Sequence, residues 1–68
     1  MEISENIKKL RKQNNLTLRE LAKKSGLAFG AIGNIERGVI KDPHVSTVIK
    51  LAQVFNITID ELVGYRTK

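Results

Sequence analysis

The stretch that decides the fold of this 68-residue chain runs from Leu18 to Arg37 and reads LRELAKKSGLAFGAIGNIER. Its apolar residues recur three and four positions apart, which is the spacing of one face of a helix. Thr17 and Glu20 can form a capping box at its start, because each side chain satisfies a free backbone N–H of the first turn. Gly26 then ends the helix, since glycine accepts a positive φ. We therefore predict two short helices that meet at a turn, the second from about Ala28 to Arg37.

A further helix is predicted on the N-terminal side of this stretch. Ile3, Ile7 and Leu10 lie at positions i, i+4 and i+7, so they form one apolar stripe. Asn14 and Asn15 follow, and asparagine tolerates the left-handed conformation that ends a helix. The first helix is therefore expected to end at these two residues.

A fourth helix is predicted on the C-terminal side. Asp42 can cap it, and Pro43 suits its first position because the N–H that proline lacks would be unpaired there. Its apolar residues repeat at helical spacing: Val45, Val48, Ile49, Ala52 and Phe55.

A second capping box, Thr58 to Glu61, predicts a short fifth helix that ends before Gly64. The β-branched runs Val39–Ile40 and Val54–Ile59 are also compatible with short strands. The helical period and the two capping boxes favour helices throughout. We therefore predict an all-α domain of five helices over residues 1–64, followed by a short tail over residues 65–68.

Charge is distributed unevenly along the chain. Twelve Lys and Arg against seven Asp and Glu give a net charge of +5. Residues 1–41 hold nine of the basic and four of the acidic residues, so this segment carries the whole excess. An anionic partner facing the N-terminal half is one interpretation, with nucleic acid favoured over membrane. A solvated basic face without a partner is the alternative.

The composition also argues against several classes of site. The chain has no cysteine and a single histidine, His44, so disulfides and thiolate zinc sites are excluded and no metal or other cofactor is expected. No nucleophile and base stand at a suggestive spacing, which argues against an enzyme. No apolar stretch approaches the roughly 20 residues that span a bilayer, and the first residues lack the order of a signal peptide. We therefore expect a cytoplasmic protein.

Leu18 to Arg37 resembles the twenty-residue signature of the phage-repressor/Cro-type helix-turn-helix family. The similarity extends over about residues 3 to 64 and includes further motifs: Leu10-Arg11, Ile35-Glu36-Arg37-Gly38, Pro43 and Ile57-Thr58-Ile59-Asp60-Glu61-Leu62. This resemblance implies a compact five-helix, lambda-repressor-like domain whose second and third helices form the helix-turn-helix. It also implies binding to double-stranded DNA, with the third helix in the major groove.

The resemblance assigns contact roles by position. The residues expected to face base edges are Ala28, Phe29, Gly30 and Asn34. The residues expected along phosphates are Thr17, Leu18, Arg19, Lys41 and His44. Two other residues, Arg11 and Glu36, are implied to form a structural salt bridge between the first and third helices.

The start of the third helix departs from the family's pattern. Members commonly carry polar residues there, whereas this chain has Ala28-Phe29-Gly30-Ala31 and then Gly33. Asn34 can bond the N6 and N7 edge of adenine, and Phe29 can contact a thymine methyl, so an A·T-rich half-site is expected. The alternatives are that Phe29 packs or contacts a protein, and that Asn34 is simply solvated. The two glycines predict an intrinsically weak helix.

The sequence thus predicts a sequence-specific transcriptional regulator that blocks a promoter by occupying a near-palindromic operator. A protein-interaction or antitoxin-type module with the same fold is the alternative. We expect a homodimer at least on DNA, with a monomer that pairs only on DNA equally compatible. Candidate interface residues lie in the neutral C-terminal region: Phe55, Ile57, Val63 and Tyr65. The operator, the sign of regulation and whether the chain is part of a longer regulator stay open.

Overall fold

A computed structural model describes residues 3–64, and these fold into five α-helices without a strand among them. The helices are α1 (Ile3–Gln13), α2 (Leu18–Ser25), α3 (Phe29–Glu36), α4 (Val45–Phe55) and α5 (Ile59–Val63). The all-α prediction is confirmed, and the β-branched segments form no strands in the described range. The predicted tail over residues 65–68 lies outside the described residues.

Local sequence signals set most helix ends. Both capping boxes form: the Thr17 hydroxyl accepts from the Glu20 backbone N–H, and the Thr58 hydroxyl accepts from that of Glu61. After α1, Asn15 adopts a φ of 56°, and the Leu16 N–H donates to the Arg11 carbonyl. These caps satisfy backbone groups that a helix end otherwise leaves unpaired.

The start of α4 corrects one prediction. The helix begins at Val45 with His44 as its N-cap, and the His44 side chain makes no capping hydrogen bond. Asp42 and Pro43 therefore lie in the loop before the helix. His44 is still extended, with ψ at 150°, and its carbonyl accepts the first intrahelical hydrogen bond from the Val48 N–H. The fixed φ of proline suits a loop as well as a first turn, so the sequence could not separate the two.

The apolar stripe of α4 is also rotated relative to the prediction. Val48, Leu51 and Ala52 are buried, whereas Val45 is 70% exposed and Ile49 is 38% exposed. Both sets of residues satisfy helical spacing, because α4 is apolar over a wide arc. The neighbouring helices decide which part of that arc is covered.

One core joins all five helices. Its buried apolar residues are Ile3, Ile7, Leu21, Ile32, Ile35, Val48, Leu51, Ala52 and Leu62. Helix α3 packs against α1 and α2, α2 also packs against α4, and α5 packs against α1 and α4. Helices α2 and α3 are thus held as a pair with one side of α3 left open. None of the described helices is long and apolar enough to cross a membrane.

Candidate nucleic-acid interface

Helix α3 has one face in the core and another in solvent. Ile32 and Ile35 are at most 1% exposed, which fixes the rotation of the helix. Phe29, by contrast, is 45% exposed, Gly30 is exposed and Asn34 is half-buried. Gly30 and Asn34 are four positions apart and share a helix face, and Phe29 lies beside Gly30 on the adjacent stripe, so the three residues lie on the open side of α3.

Phe29 is held by a residue of the preceding helix. The guanidinium carbon of Arg19 in α2 lies 4.9 Å from the centroid of the Phe29 ring. This is a cation–π contact, worth about 0.5–1 kcal/mol at an exposed site. Arg19 was expected along phosphates; the structure places its side chain over an aromatic ring at the start of α3, and the phosphate contact stays a prediction. The contact couples the two helices across the turn.

The C-terminal part of the exposed face carries a residue that sequence reasoning missed. Arg37, directly after α3, donates a hydrogen bond from Nη2 to Oδ1 of Asn34. Its Nη1 lies 3.6 Å from where a Cβ at position 33 would stand, and Gly33 is buried. The arginine side chain therefore folds back along the helix over Gly33. The i, i+3 spacing of Asn34 and Arg37 was the available signal for this pairing.

The N-terminus of α2 has backbone donors available to a phosphate. The Thr17 backbone N–H donates to Glu20 Oε1 at 2.8 Å, and the Thr17 hydroxyl accepts from the Glu20 N–H at 3.1 Å. Leu18 packs its side chain against the core. The first N–H groups of a helix have no intrahelical acceptor, so a phosphate at this end would be bound through the backbone of residues 18 and 19.

The loop between α3 and α4 supplies charge next to this surface. Lys41 and His44 are both exposed, as is Ala28 at the N-cap of α3. Ala28 has no capping side chain, so the start of α3 keeps its free N–H groups. All the positions expected at bases or phosphates therefore lie in α2, α3 or the segments that flank them.

Comparison with known proteins decides the family. The family pattern described as "Helix-turn-helix" matches residues 7–62. This chain belongs to the helix-turn-helix family. The family resemblance identified from the sequence is thereby confirmed.

The relatives of this helix-turn-helix chain are described as transcriptional regulators. It is 31% identical over 62 residues to the HTH-type transcriptional regulator SinR of Bacillus licheniformis, covering 91% of this chain and 56% of the relative. It is 30% identical over 64 residues to the HTH-type transcriptional regulator ImmR of Bacillus subtilis, covering 94% of this chain and 50% of the relative. The chain thus spans about half the length of these curated relatives.

Solved structures show the same fold. The crystal structure of SinR, the master regulator for biofilm formation, in complex with DNA superposes with a TM-score of 0.86 at 31% identity, covering 90% of this chain and 97% of that chain. The N-terminal DNA binding domain of SinR from Bacillus subtilis gives a TM-score of 0.90 at 28% identity, covering 98% of this chain and 97% of that chain. The five-helix helix-turn-helix architecture is therefore confirmed.

Arg11 and Glu36 are brought together in this helix-turn-helix domain. Arg11 Nε donates to Glu36 Oε2 at 2.7 Å, and Arg11 Nη2 donates to Glu36 Oε1 at 3.1 Å. Glu36 is only 7% exposed. The carboxylate raises the pKa of Arg11 above its ordinary value, chiefly through the side-chain hydrogen bond. The pair fastens α1 to the end of α3.

The predicted dimer residues are less accessible than expected for a free surface. Phe55, Ile57 and Val63 are half-buried and pack against the core, and Tyr65 lies outside the described residues. Other large apolar side chains of the described residues are more exposed than these, among them Val39, Val45, Ile49 and Ile59. No group of three or more potential metal ligands occurs within residues 3–64.

Proposed function

We propose that this helix-turn-helix domain is the DNA-binding part of a transcriptional regulator and that α3 enters the major groove. The observation that carries the proposal is the two-sided character of α3. Its Ile32 and Ile35 side is locked into the core, while Phe29, Asn34 and Arg37 project from the open side. An α-helix fits the major groove, where each base pair presents a distinct edge.

Charge supports nucleic acid as the ligand of that surface. The excess of five positive charges falls within residues 1–41, the part of the chain that contains α2, α3 and Lys41. Backbone N–H groups at the start of α2 add donors for phosphate. In such an interface the phosphate contacts set position and affinity, and the α3 side chains set sequence preference.

Base reading is proposed for Ala28, Phe29, Gly30 and Asn34. Ala28 and Gly30 have no polar side-chain atoms, so they permit close approach of the helix to the groove and contribute shape. Phe29 offers an apolar edge to a thymine methyl, and the Arg19 contact restrains its ring. Phosphate contact is proposed for the Arg19 guanidinium edge, for Lys41 and His44, and for the backbone around Thr17 and Leu18.

The regulator is proposed to act as a repressor and a dimer. Two α3 helices spaced about one DNA turn apart, ~34 Å, would match a near-palindromic operator. Occupation of a promoter by such a dimer excludes the polymerase. The known structure of SinR with DNA supports double-stranded DNA as the partner. Phe55, Ile57, Val63 and Tyr65 stay the proposed interface residues, at least in the DNA-bound state.

The test is selection of binding sites from a random duplex pool with the purified domain at about 0.15 M salt, which suppresses weak non-specific binding. An enriched inverted repeat with half-site centres about one helical turn apart supports a dimeric DNA-binding regulator. An enriched single half-site supports DNA reading but argues against the dimer. A pool without a motif, from protein shown to be folded by circular dichroism, would contradict the proposal and favour a protein partner for the exposed Phe29 surface.

A further inference from the structure

We propose that Arg37, folded back over Gly33 and bonded to Asn34, is a specificity-determining residue, and that Arg37 and Asn34 together recognise guanine. This inference rests on the proposed function, because it concerns the bases that α3 reads. It changes the half-site expected from the sequence, where Asn34 alone pointed to adenine.

The position of the Arg37 side chain is the first step. Arg37 is exposed and directly follows the last residue of α3 with its backbone still in the α region, so its Cα–Cβ bond tilts toward the helix N-terminus. The side chain continues in that direction: its Nη1 stands 3.6 Å from the Cβ position of residue 33, and its Nη2 reaches Asn34 Oδ1. Residue 29 is four positions from 33, 33 is four from 37, 30 is four from 34 and 34 is three from 37. These residues therefore form two adjacent stripes that meet at the Arg37 guanidinium.

The small size of residue 33 leaves room for this arrangement. Because glycine has no side chain, the arginine can cover the helix backbone at that point, and Gly33 is buried although it is on the open face. A long side chain at position 33 would occupy the same space. A Cβ alone would stand at ordinary van der Waals distance from Nη1, so the arrangement needs a small residue at position 33 and does not need glycine itself.

The hydrogen bond also changes what Asn34 offers to a base. Adenine is read when an asparagine Oδ1 accepts from N6 while Nδ2 donates to N7. Here one of the two Oδ1 lone pairs already accepts from the positively charged Arg37, so an adenine N6 would compete with the guanidinium for this oxygen, while the Nδ2 donors stay available. A guanidinium has five N–H groups, of which one is used by Asn34.

The pair thus presents hydrogen-bond donors to the groove. Guanine displays two acceptors there, N7 and O6, and arginine bonded to both is the commonest specific contact. Adenine places the N6 amino group, a donor, where guanine has O6. Donor facing donor is unfavourable, so the arrangement favours guanine and disfavours adenine at the same position.

The experiment compares binding of the full chain to the selected operator and to two series of altered duplexes. In one series, each duplex carries 7-deazaguanine at a single half-site guanine, which removes only the N7 acceptor. The other replaces the same G·C pair by A·T. Dissociation constants are measured by fluorescence anisotropy for the wild type, Arg37→Ala and Arg37→Lys. Lys50→Ala is the matched control, because Lys50 is an exposed cation on α4 outside the proposed interface.

We expect one half-site guanine at which both changes weaken wild-type binding about tenfold, within the range known for a bidentate base contact. Arg37→Ala should reduce both penalties to about twofold or less. Arg37→Lys should retain most affinity for the unaltered site yet lose most of the discrimination, because lysine keeps the charge without the planar fork. Lys50→Ala should leave both penalties unchanged.

Two results would overturn the guanine assignment while leaving the proposed function intact. One is an Arg37→Ala variant that loses the same factor of affinity on every duplex, which would make Arg37 a phosphate contact. The other is an operator in which no guanine substitution is sensitive to Arg37. Failure to enrich any motif in the random pool is different, because it contradicts DNA reading itself.

Discussion

Arg11 and Glu36 form a two-bond ion pair that joins α1 to the last residue of α3, with N–O distances of 2.7 and 3.1 Å. Arg11 uses a third donor, Nη1, on the Leu16 carbonyl at 2.9 Å. One guanidinium therefore fixes both the end of α3 and the turn between α1 and α2. Since α3 carries the proposed reading surface, this ion pair helps to fix the position of that surface relative to α1.

Glu36→Gln should destabilise the domain. The variant leaves the Arg11 charge next to a neutral amide at a site where Glu36 is 7% exposed. Breaking a buried pair costs about 3–5 kcal/mol, and we expect the low end because Arg11 retains 16% side-chain exposure and glutamine can still accept one bond. Urea unfolding should show a clearly lower midpoint.

The matched control is Glu5→Gln. Glu5 is exposed and approaches Lys8 at 4.0 Å on the surface of α1, an arrangement worth at most a few tenths of a kcal/mol. Its midpoint should stay close to that of the wild type. An unchanged midpoint in Glu36→Gln would contradict a structural role for the Arg11 pair.

Thr17→Ala should lower the free energy of unfolding by about 1 kcal/mol, the usual cost of removing a capping hydroxyl. The Thr17 hydroxyl accepts from the Glu20 N–H at the start of α2, and alanine leaves that N–H without its cap. Thermal unfolding measures the effect. Thr17→Ser keeps the hydroxyl and is the control, so equal losses in the two variants would argue against the cap as the cause.

The Glu20 carboxylate should make the free energy of unfolding decrease as the pH falls into the acid range. The Thr17 backbone N–H, and then the Thr17 side chain, hold the pKa of Glu20 below its ordinary value. A carboxyl group whose pKa is lowered by folding stabilises the protein above its unfolded pKa, about 4.3, and this contribution disappears as the pH falls through the folded pKa.

Melting temperatures of wild type and Glu20→Gln should therefore differ near neutral pH and converge in strong acid. Glu5→Gln, at an exposed position of α1, serves as the comparison for loss of one carboxylate. A gap between Glu20→Gln and wild type that stays constant from neutral pH to pH 2 would show that the charge of Glu20 does not contribute.

Gly30→Ala should stabilise α3 by about 0.5–1 kcal/mol, because alanine has the higher helix propensity. A Cβ at position 30 meets no atom within 4 Å, and the backbone is helical. Gly26→Ala is the contrasting variant: it has equal space, but its φ of 75° strains any residue with a Cβ. Chemical denaturation should thus give shifts of opposite sign, and a loss of stability in Gly30→Ala would contradict this account of α3.

Lys41→Ala should reduce the salt dependence of DNA binding without changing sequence preference. If Lys41 neutralises one phosphate, the slope of log K against log salt should become shallower by about 0.9. Anisotropy titrations from low to moderate salt measure the slope on the selected operator and on a scrambled duplex. A wild-type slope near zero would argue against phosphate contacts altogether.

The sequence by itself determined the number of helices, most of their ends and the family to which the chain belongs. Capping boxes at Thr17 and Thr58, the left-handed Asn15 and Gly26, and the period of Ile3 and Ile7 are local signals. They act within one helical turn, so they can be identified without tertiary contacts. The family's pattern over residues 7–62 then supplied the arrangement of the five helices.

Only the tertiary structure decided which of several equivalent patterns is realised. The burial of Leu51 depends on where α2 and α5 cover α4, because the apolar arc of that helix is wider than the part that is buried. The contact of Arg19 with Phe29 and the return of Arg37 over Gly33 depend on the paths of long, flexible side chains. Their many rotamers are nearly equal in energy in an isolated helix. The packed neighbours choose among them, and for that reason the reading surface could not be derived from spacing alone.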